Sequence, residues 1–420
     1  MLYGFPRETV GTKKPSTQKN STLKVLNIAV MQWLSKVGYQ VVFRKDIISM
    51  SYNHRRNSYF GFIPFGLFQA LILAVAQIDH AESDWDKDMR AKNEPYDTGW
   101  QIYFDNDISF NDEKDRNYTG GLALTLTGKR AADYWFSLDP WLNSLDRLSG
   151  FGRSQTGDNG IHRHAIEFGL TIFTPDDIAE SDPIDNDHPY ANMLFISNSQ
   201  SRVYPSRGLL FQSTLLLGVL GTDVGEEVQK AMHNLTDSDQ PRGWSNQISD
   251  GGELTAKYSI SVQKMLLSRQ GSYSYDVRVG LEAGTGYTTD VNGAISFRLG
   301  KLNTPWWQFT PHQSEYISFG QTFGQSTDHG HARPEFFLWG GLNLKYRFYN
   351  AILQGQFRDS AVTFNRDELE SVILNGWLGI TKTFSNGMGI SFVMRKQNNE
   401  IENSGKDDPF WSGLIISKTY

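Results

Sequence analysis

Two groups of polar residues stand out by type and spacing. The first is Phe104-Asp105-Asn106-Asp107, followed by Asp115-Arg116-Asn117-Tyr118-Thr119-Gly120-Gly121. A hairpin between them gathers carboxylates, an amide and a hydroxyl at one edge. These are the hard oxygen donors that a calcium ion takes in a flexible shell. The same residues also suit a plain solvated turn. The second group surrounds His233, which lies in a polar insert with Gln229 one turn earlier on a helical reading and Asp237 and Asp239 just after. A lone histidine is ordinarily structural or exposed, yet histidine is also the side chain best suited to move protons near neutral pH. The 420-residue chain has no Cys, so a thiol nucleophile, a zinc–thiolate site and a disulfide scaffold are excluded. Gly-x-Ser-x-Gly is absent, so a hydrolase elbow is unsupported. A serine nucleophile in another setting stays open.

The elements that must carry these groups alternate with a period of two. In Tyr118–Lys129, Tyr118, Gly120, Leu122, Leu124 and Leu126 share one face. In Tyr275–Ala283, Tyr275, Val277, Val279 and Leu281 oppose Asp276, Arg278 and Glu282. Twelve strands are predicted: Gly99–Asp105, Tyr118–Gly128, His164–Phe173, Asn192–Tyr204, Gly208–Gly218, Glu253–Leu266, Tyr273–Thr285, Asp290–Gly300, Glu335–Tyr349, Val372–Phe384, Gly387–Gln397 and Phe410–Tyr420. The fold class is therefore all-β: an antiparallel transmembrane β-barrel of about twelve strands with long extracellular loops, apolar residues facing lipid and polar ones the lumen. Residues 129–161, 220–251 and 301–334 are too long for hairpins and are expected as such loops. Trp306-Trp307, Phe336-Phe337, Trp339, Tyr346, Phe348 and Tyr349 are expected in interface girdles. The last strand ends in Tyr420, with Ile416 and Leu414 on the same face.

Composition agrees. There are 26 Phe, 18 Tyr, 11 Trp and 39 Gly. The net charge of −6 divides into +8 over residues 1–60 and −14 beyond. An acidic body argues against nucleic acid as a partner. Tyr59–Ala76 is an apolar run preceded by His54-Arg55-Arg56 and closed by Ala74-Val75-Ala76, the pattern of a secretory signal peptide. Pro64, Gly66 and Gln69 argue against a membrane anchor. The expected division is an upstream extension over 1–49, a signal peptide over 50–76 and a barrel over 77–420. Two other readings are a non-enzymatic barrel, channel or surface-binding, with pairs such as Arg278–Glu282 closing its lumen, and a soluble β-sandwich.

The motifs of residues 95–260, in their order and spacing, resemble the lipid A 3′-O-deacylase family of outer-membrane barrels, the LpxR type. Phe-x-Asn-Asp at 104–107 and Asp-Arg-x-Tyr-Thr-x-Gly at 115–121 carry the resemblance first. Phe173-Thr174-Pro175-Asp176-Asp177-Ile178 and Asp187-His188-Pro189-Tyr190-Ala191 come next. Gly218–Gly221 with Val228-Gln229-Lys230-Ala231-Met232-His233, and then Gly243-Trp244-Ser245-Asn246-Gln247, complete it. The chain departs from the pattern at His188, in place of Arg, at Asn192, in place of Gly, and at Gly120, in place of Asn. Asp250 and Glu253 flank two glycines where an acidic residue follows Gln247 in the family.

The resemblance implies an ester hydrolase of the bacterial outer membrane that acts on lipid A, or lipopolysaccharide, in the outer leaflet, with calcium as cofactor. It implies His233 as the base that activates water, with Asn106, Asp107 and Thr119 at the catalytic site. Asp107 and Asp239 are the implied calcium ligands, and Arg116, Gln229 and His188 the substrate contacts. Arg116, Lys129, Arg130 and Arg242 are candidate partners for the lipid phosphates. A barrel phospholipase is the competing enzyme. The protein is expected to be a monomer.

Overall fold

The computed structural model describes residues 39–44, 47–52, 94–106, 117–151, 160–236, 238–271, 273–309, 327–328, 331–402 and 404–420. Of the predicted signal peptide, residues 50–52 are among them and 53–76 lie outside. The chain divides into two units, Met1–Gly61 and Phe62–Tyr420. In the first, Tyr39–Arg44 and Ile47–Tyr52 form an antiparallel hairpin.

The second unit is a closed barrel of twelve antiparallel strands. They are β1 (Gly99–Asn106), β2 (Asn117–Thr127), β3 (Ile161–Thr174), β4 (Ala191–Tyr204), β5 (Leu209–Leu220) and β6 (Glu253–Arg269). The second half contains β7 (Ser274–Gly286), β8 (Thr288–Lys301), β9 (Phe336–Asn350), β10 (Val372–Thr383), β11 (Met388–Gln397) and β12 (Phe410–Thr419). Each strand pairs with its sequence neighbour, and β12 returns to β1 with Ser412 opposite Asn106. All twelve predicted strands are present, with ends within three residues of expectation.

The alternation is inverted, as a lipid solvent demands. On β2, Leu122 and Leu124 are exposed while Ala123, Thr125 and Thr127 are buried. On β7, Asp276, Arg278 and Glu282 point into the lumen. Among the described residues no helix is long and apolar enough to cross a membrane, and the strands make the crossing.

Side-chain clusters plug parts of the lumen, and a polar cavity lined by Gln212, Lys257, Glu282, Asp290 and Lys345 lies among them. Near one end, Tyr103, Tyr118, Phe173, Met193, Phe195, Tyr287 and Trp411 pack together. At the other, residues 302–309 fold inward, and Trp306 and Trp307 join Val203, Leu210 and Met265. Phe309, Phe337, Trp339 and Trp377 form a third cluster. Trp306, Trp307, Phe337 and Trp339 are therefore internal packing, not girdle residues. Phe336 and Tyr346 do face outward. Arg278 donates to the carbonyls of Trp306 and Phe309 at 2.8 and 2.6 Å. It does not pair with Glu282, because four residues of strand separate the two by about 13 Å.

Strand parity corrects the loops. With twelve strands both barrel ends share one rim, called here the terminal rim, and the opposite one is the distal rim. Residues 128–160 and 302–335 emerge at the terminal rim and 221–252 at the distal rim. The three inserts thus cannot all lie on one side. Lys129 and Arg130 start the first insert, away from Asn106 and Thr119, and Arg130 pairs with Asp97 at 2.6 Å. That insert contains α1 (Arg130–Asp133) and α2 (Asp139–Ser149), and the distal one contains α3 (Val224–Thr236).

Candidate active site

The distal rim over β1–β6 holds the residues that the motifs single out. Asn106 closes β1, opposite Gly120 of β2. The ladder between β2 and β3 shifts register between Tyr118 and Gly120, so Thr119 is the extra residue of a bulge. A bulge breaks the alternation, so residues on its two sides face opposite ways. Tyr118 therefore does not share the lipid-facing row of Leu122 but turns inward. Its hydroxyl donates to Asp105 Oδ2 at 3.2 Å, and its ring packs on Phe173 and Trp411. Thr119 is buried, with its hydroxyl 2.6 Å from that of Thr174 at the end of β3. Asp107 and Arg116 lie outside the described residues.

Helix α3 lies on the outer wall of the barrel. Val224 and Val228 pack against Leu170, Ile172, Tyr190 and Trp244. Leu170 is the cross-strand partner of exposed Leu122 and Leu194, so the covered side is the lipid-facing one. The helix reaches the wall through a stripe of Gly225, Gln229 and His233, one residue per turn, all buried. Gly225 abuts Asn192, where a Cβ would stand 2.7 Å from the Asn192 side chain. Asn192 is itself fixed: its amide nitrogen donates to the Thr222 carbonyl at 2.7 Å and to Gln247 Oε1 at 2.8 Å, and its oxygen accepts from the Thr222 hydroxyl. Gly221 begins the connection at φ +68°, with its Cβ position 2.2 Å from the Ser249 carbonyl, so only glycine fits.

His233 is buried near the C-terminal end of α3. Its Nδ1 is 2.5 Å from the Asp239 carbonyl. A carbonyl only accepts, so Nδ1 carries the hydrogen and Nε2 is the basic atom of the neutral ring. Asp239 thus contributes its backbone oxygen, and its own side chain is exposed. Gln229 accepts from the indole of Trp244 at 2.9 Å. That bond ties the Gly243–Gln247 segment to the helix, a positioning role that differs from the expected substrate contact. Tyr190 packs against Trp244 at 4.8 Å with the rings tilted and donates to the Ile178 carbonyl at 3.0 Å, joining a third motif to the same unit.

His188 belongs elsewhere. Its ring stacks on inward-facing Phe173 at 5.2 Å, and its Nδ1 donates to the Pro189 carbonyl at 2.8 Å. Burial pushes its pKa below the usual histidine range. It lines a small internal cavity with Tyr118, Gln397 and Glu400, on the lumen side of the wall. His188, expected as a substrate contact, is thus placed on the lumen side of the wall, whereas the helix carrying His233 covers the outer side. Asp187 beside it accepts from the Asp176 and His188 amides and pairs with Lys406 at 2.5 Å. Arg242 is exposed at the distal rim, its amide bonded to the Ile178 carbonyl.

The described residues gather Asn106, Thr119 and Thr174 along adjacent strand ends, and His233 and Gln229 on the helix that covers the neighbouring wall, with Trp244 bonded to it. Sequence reading missed Tyr118, Thr174 and the Asn192 lock. The available signal was Asn192, a polar residue in phase with lipid-facing Leu194. For calcium, Asn106 and Thr119 are hard-oxygen donors of the right kind. Among the described residues no three acidic or histidine side chains converge, and Asp107 lies outside them.

The family described as "Outer membrane protein LpxR" matches residues 67–418. LpxR from Salmonella typhimurium shares the fold, with a TM-score of 0.58 at 14% identity, over 77% of this chain and 100% of that one. The beta domain of the Bordetella autotransporter BrkA aligns over 77% of this chain and 100% of its own, at 9% identity and a TM-score of 0.38. No curated protein matches.

Proposed function

The chain belongs to the LpxR family of outer membrane proteins, and from that premise we propose that it is a lipid A deacylase that hydrolyses the 3′-O-linked acyl ester of lipid A in the outer leaflet. One observation carries this reading. The helix bearing His233 is clamped to the lipid-facing side of the wall, so an acyl chain in the membrane can reach the imidazole sideways, without entering the lumen. A channel has no need of such a helix.

His233 Nε2 takes a proton from water as the water oxygen attacks the ester carbonyl carbon. The tetrahedral oxyanion collapses, the bond to the sugar oxygen breaks, and the imidazolium returns its proton to that oxygen. The products are a fatty acid and a free sugar hydroxyl. The Asp239 carbonyl keeps the ring in the required tautomer and steadies the imidazolium charge. Asn106 and Thr119 would supply an amide and a hydroxyl to orient the ester. Calcium, bound through Asp107 with Asn106, would supply positive charge for the oxyanion. Exposed Arg242, together with Arg116, is suited to the substrate phosphates.

Mass spectrometry of lipid A from cells with and without the gene tests the proposal. The expected change is loss of the 3′-O-linked acyl mass, dependent on His233. Unchanged lipid A, together with no fatty acid released from lipopolysaccharide by the purified barrel, overturns it. Fatty acid released from phospholipid alone would identify the barrel phospholipase instead.

A further inference from the structure

A second helix also lies on the outer wall, at the terminal rim, and the deacylase reading does not use it. Outward-facing positions of β4–β6 are polar where a lipid-facing wall should be apolar: Asn198, Gln200 and Ser213, with the Tyr258 hydroxyl beside them. Each is met by α2 or the turn before it. Asn198 accepts from the Leu138 amide at 3.0 Å and donates to the Ala131 carbonyl and the Ser137 hydroxyl. Gln200 donates to Asp139 at 3.0 Å. Asp146 accepts from Ser213 at 2.7 Å and from Tyr258 at 2.8 Å. Leu138 and Leu142 pack on Leu215 between these bonds.

The other side of the helix is unlike a water-facing surface. Trp141 is 61% and Leu148 84% exposed, on one face two turns apart, and Trp135 in the preceding turn is 93% exposed. Phe136 beside it contacts Phe168, the cross-strand partner of exposed Leu124, so the patch runs directly into the lipid-facing belt. The belt itself is interrupted here. On β9 exposed apolar residues run from Phe336 to Tyr346, about 33 Å of strand and roughly 25 Å of height after tilt, the usual apolar band. On β4 only Leu194 and Ile196 lie between Asn192, under α3, and Asn198, under α2, about 20 Å of strand. The exposed face of α2 supplies the apolar surface that the wall lacks.

We propose that α2 and the Tyr134-Trp135-Phe136 turn form an interfacial anchor, lying in the phospholipid headgroup–acyl boundary of the leaflet at the terminal rim. The Trp rings sit at that boundary, where their amphipathic rings favour it. Arg147, exposed on α2, faces the phosphates. The buried aspartates face the wall, so the helix is polar inward and apolar outward, opposite to a helix lying on a water-soluble core.

Because the chain has no Cys, single thiols report cleanly. Leu148→Cys and, separately, Trp141→Cys are labelled with bimane in the full barrel, reconstituted into phosphatidylethanolamine–phosphatidylglycerol vesicles with acyl-chain doxyl lipid. Leu344→Cys on the belt and Asn386→Cys in the terminal-rim turn are the lipid and water standards, and heat-modifiability confirms folding. Quenching of both α2 labels near the Leu344 level and several-fold above that at Asn386 is expected. Iodide quenching at the Asn386 level overturns the anchor. Shielding from both quenchers that disappears on dilution also overturns it, in favour of contact with a second copy.

Discussion

Gly225→Ala is the sharpest test of how the site is built. The added methyl carbon would stand 2.7 Å from Asn192 Cβ and Cγ, and 2.8 Å from its amide nitrogen. Favourable carbon contact begins near 3.5 Å, so the two must separate by roughly 0.8 Å. Asn192 cannot yield cheaply, because three hydrogen bonds hold it to Thr222 and Gln247. The helix moves instead and takes His233, two turns along the same stripe, with it. A displacement approaching 1 Å at a proton-transfer group costs up to about 10²-fold in rate. Overpacking of this size costs about 1–3 kcal/mol of stability, which a closed barrel absorbs. The assay is fatty-acid release from purified lipopolysaccharide, with heat-modifiability as the folding control. Asn192→Gly removes every atom in the clash, so the Gly225→Ala/Asn192→Gly double variant should recover more activity than the two single losses predict. Full activity in Gly225→Ala, or a double variant no better than the sum of its parts, would refute the idea that helix seating sets the histidine.

His233→Ala should lower turnover by about 10²–10⁴-fold with the barrel intact, and His233→Gln should be equally poor because an amide takes no proton; near-normal turnover in either removes the histidine from the reaction. Asp107→Ala should abolish both activity and its response to added calcium without disturbing assembly, whereas undiminished activity in chelator would exclude the metal. His188 carries a pH signature of its own. Its folded-state pKa is lowered by burial, so as pH falls through about 6.5 the unfolded chain takes up a proton that the folded one refuses. That stability is complete above the unfolded pKa and shrinks on acidification. Urea midpoints measured from pH 8 to 5 should fall, and His188→Phe should flatten that fall; an identical acid limb in the variant would show that other groups cause it.

The strands were legible because inverted alternation and twelve-fold repetition leave little choice of register. Details that depend on one extra residue were not. Thr119 turns Tyr118 inward, and no periodicity marks a bulge before the partner strand is known. The three long inserts looked alike as polar sequence, and only strand parity separates them between rims. Trp306-Trp307 read as girdle residues because an aromatic pair suits an interface and a lumen plug equally well. A helical reading of the His233 insert was open, but that it and α2 cover the wall was missed, although Asn192, Asn198 and Gln200 are polar in phase with Leu194 and Ile196 and so mark covered wall. Of the site, the position of His233 at a rim insert was readable. Its tautomer was not, since that rests on a carbonyl six residues away that only the fold brings back.

The pairing of β12 with β1 places Asn106 on the seam of the barrel, opposite Ser412. Eleven strands can zip in sequence order while that seam stays open, and until it shuts β1 has only one neighbour to hold its end. Strands β1 and β12 lie more than 300 residues apart in sequence, so their junction is the most demanding loop closure in the fold and the natural last step of assembly. If the proposed reaction holds, hydrolytic competence would arrive with circularisation: a precursor still in transit would carry its histidine helix but an unfastened first strand, and would be silent until seated in the membrane.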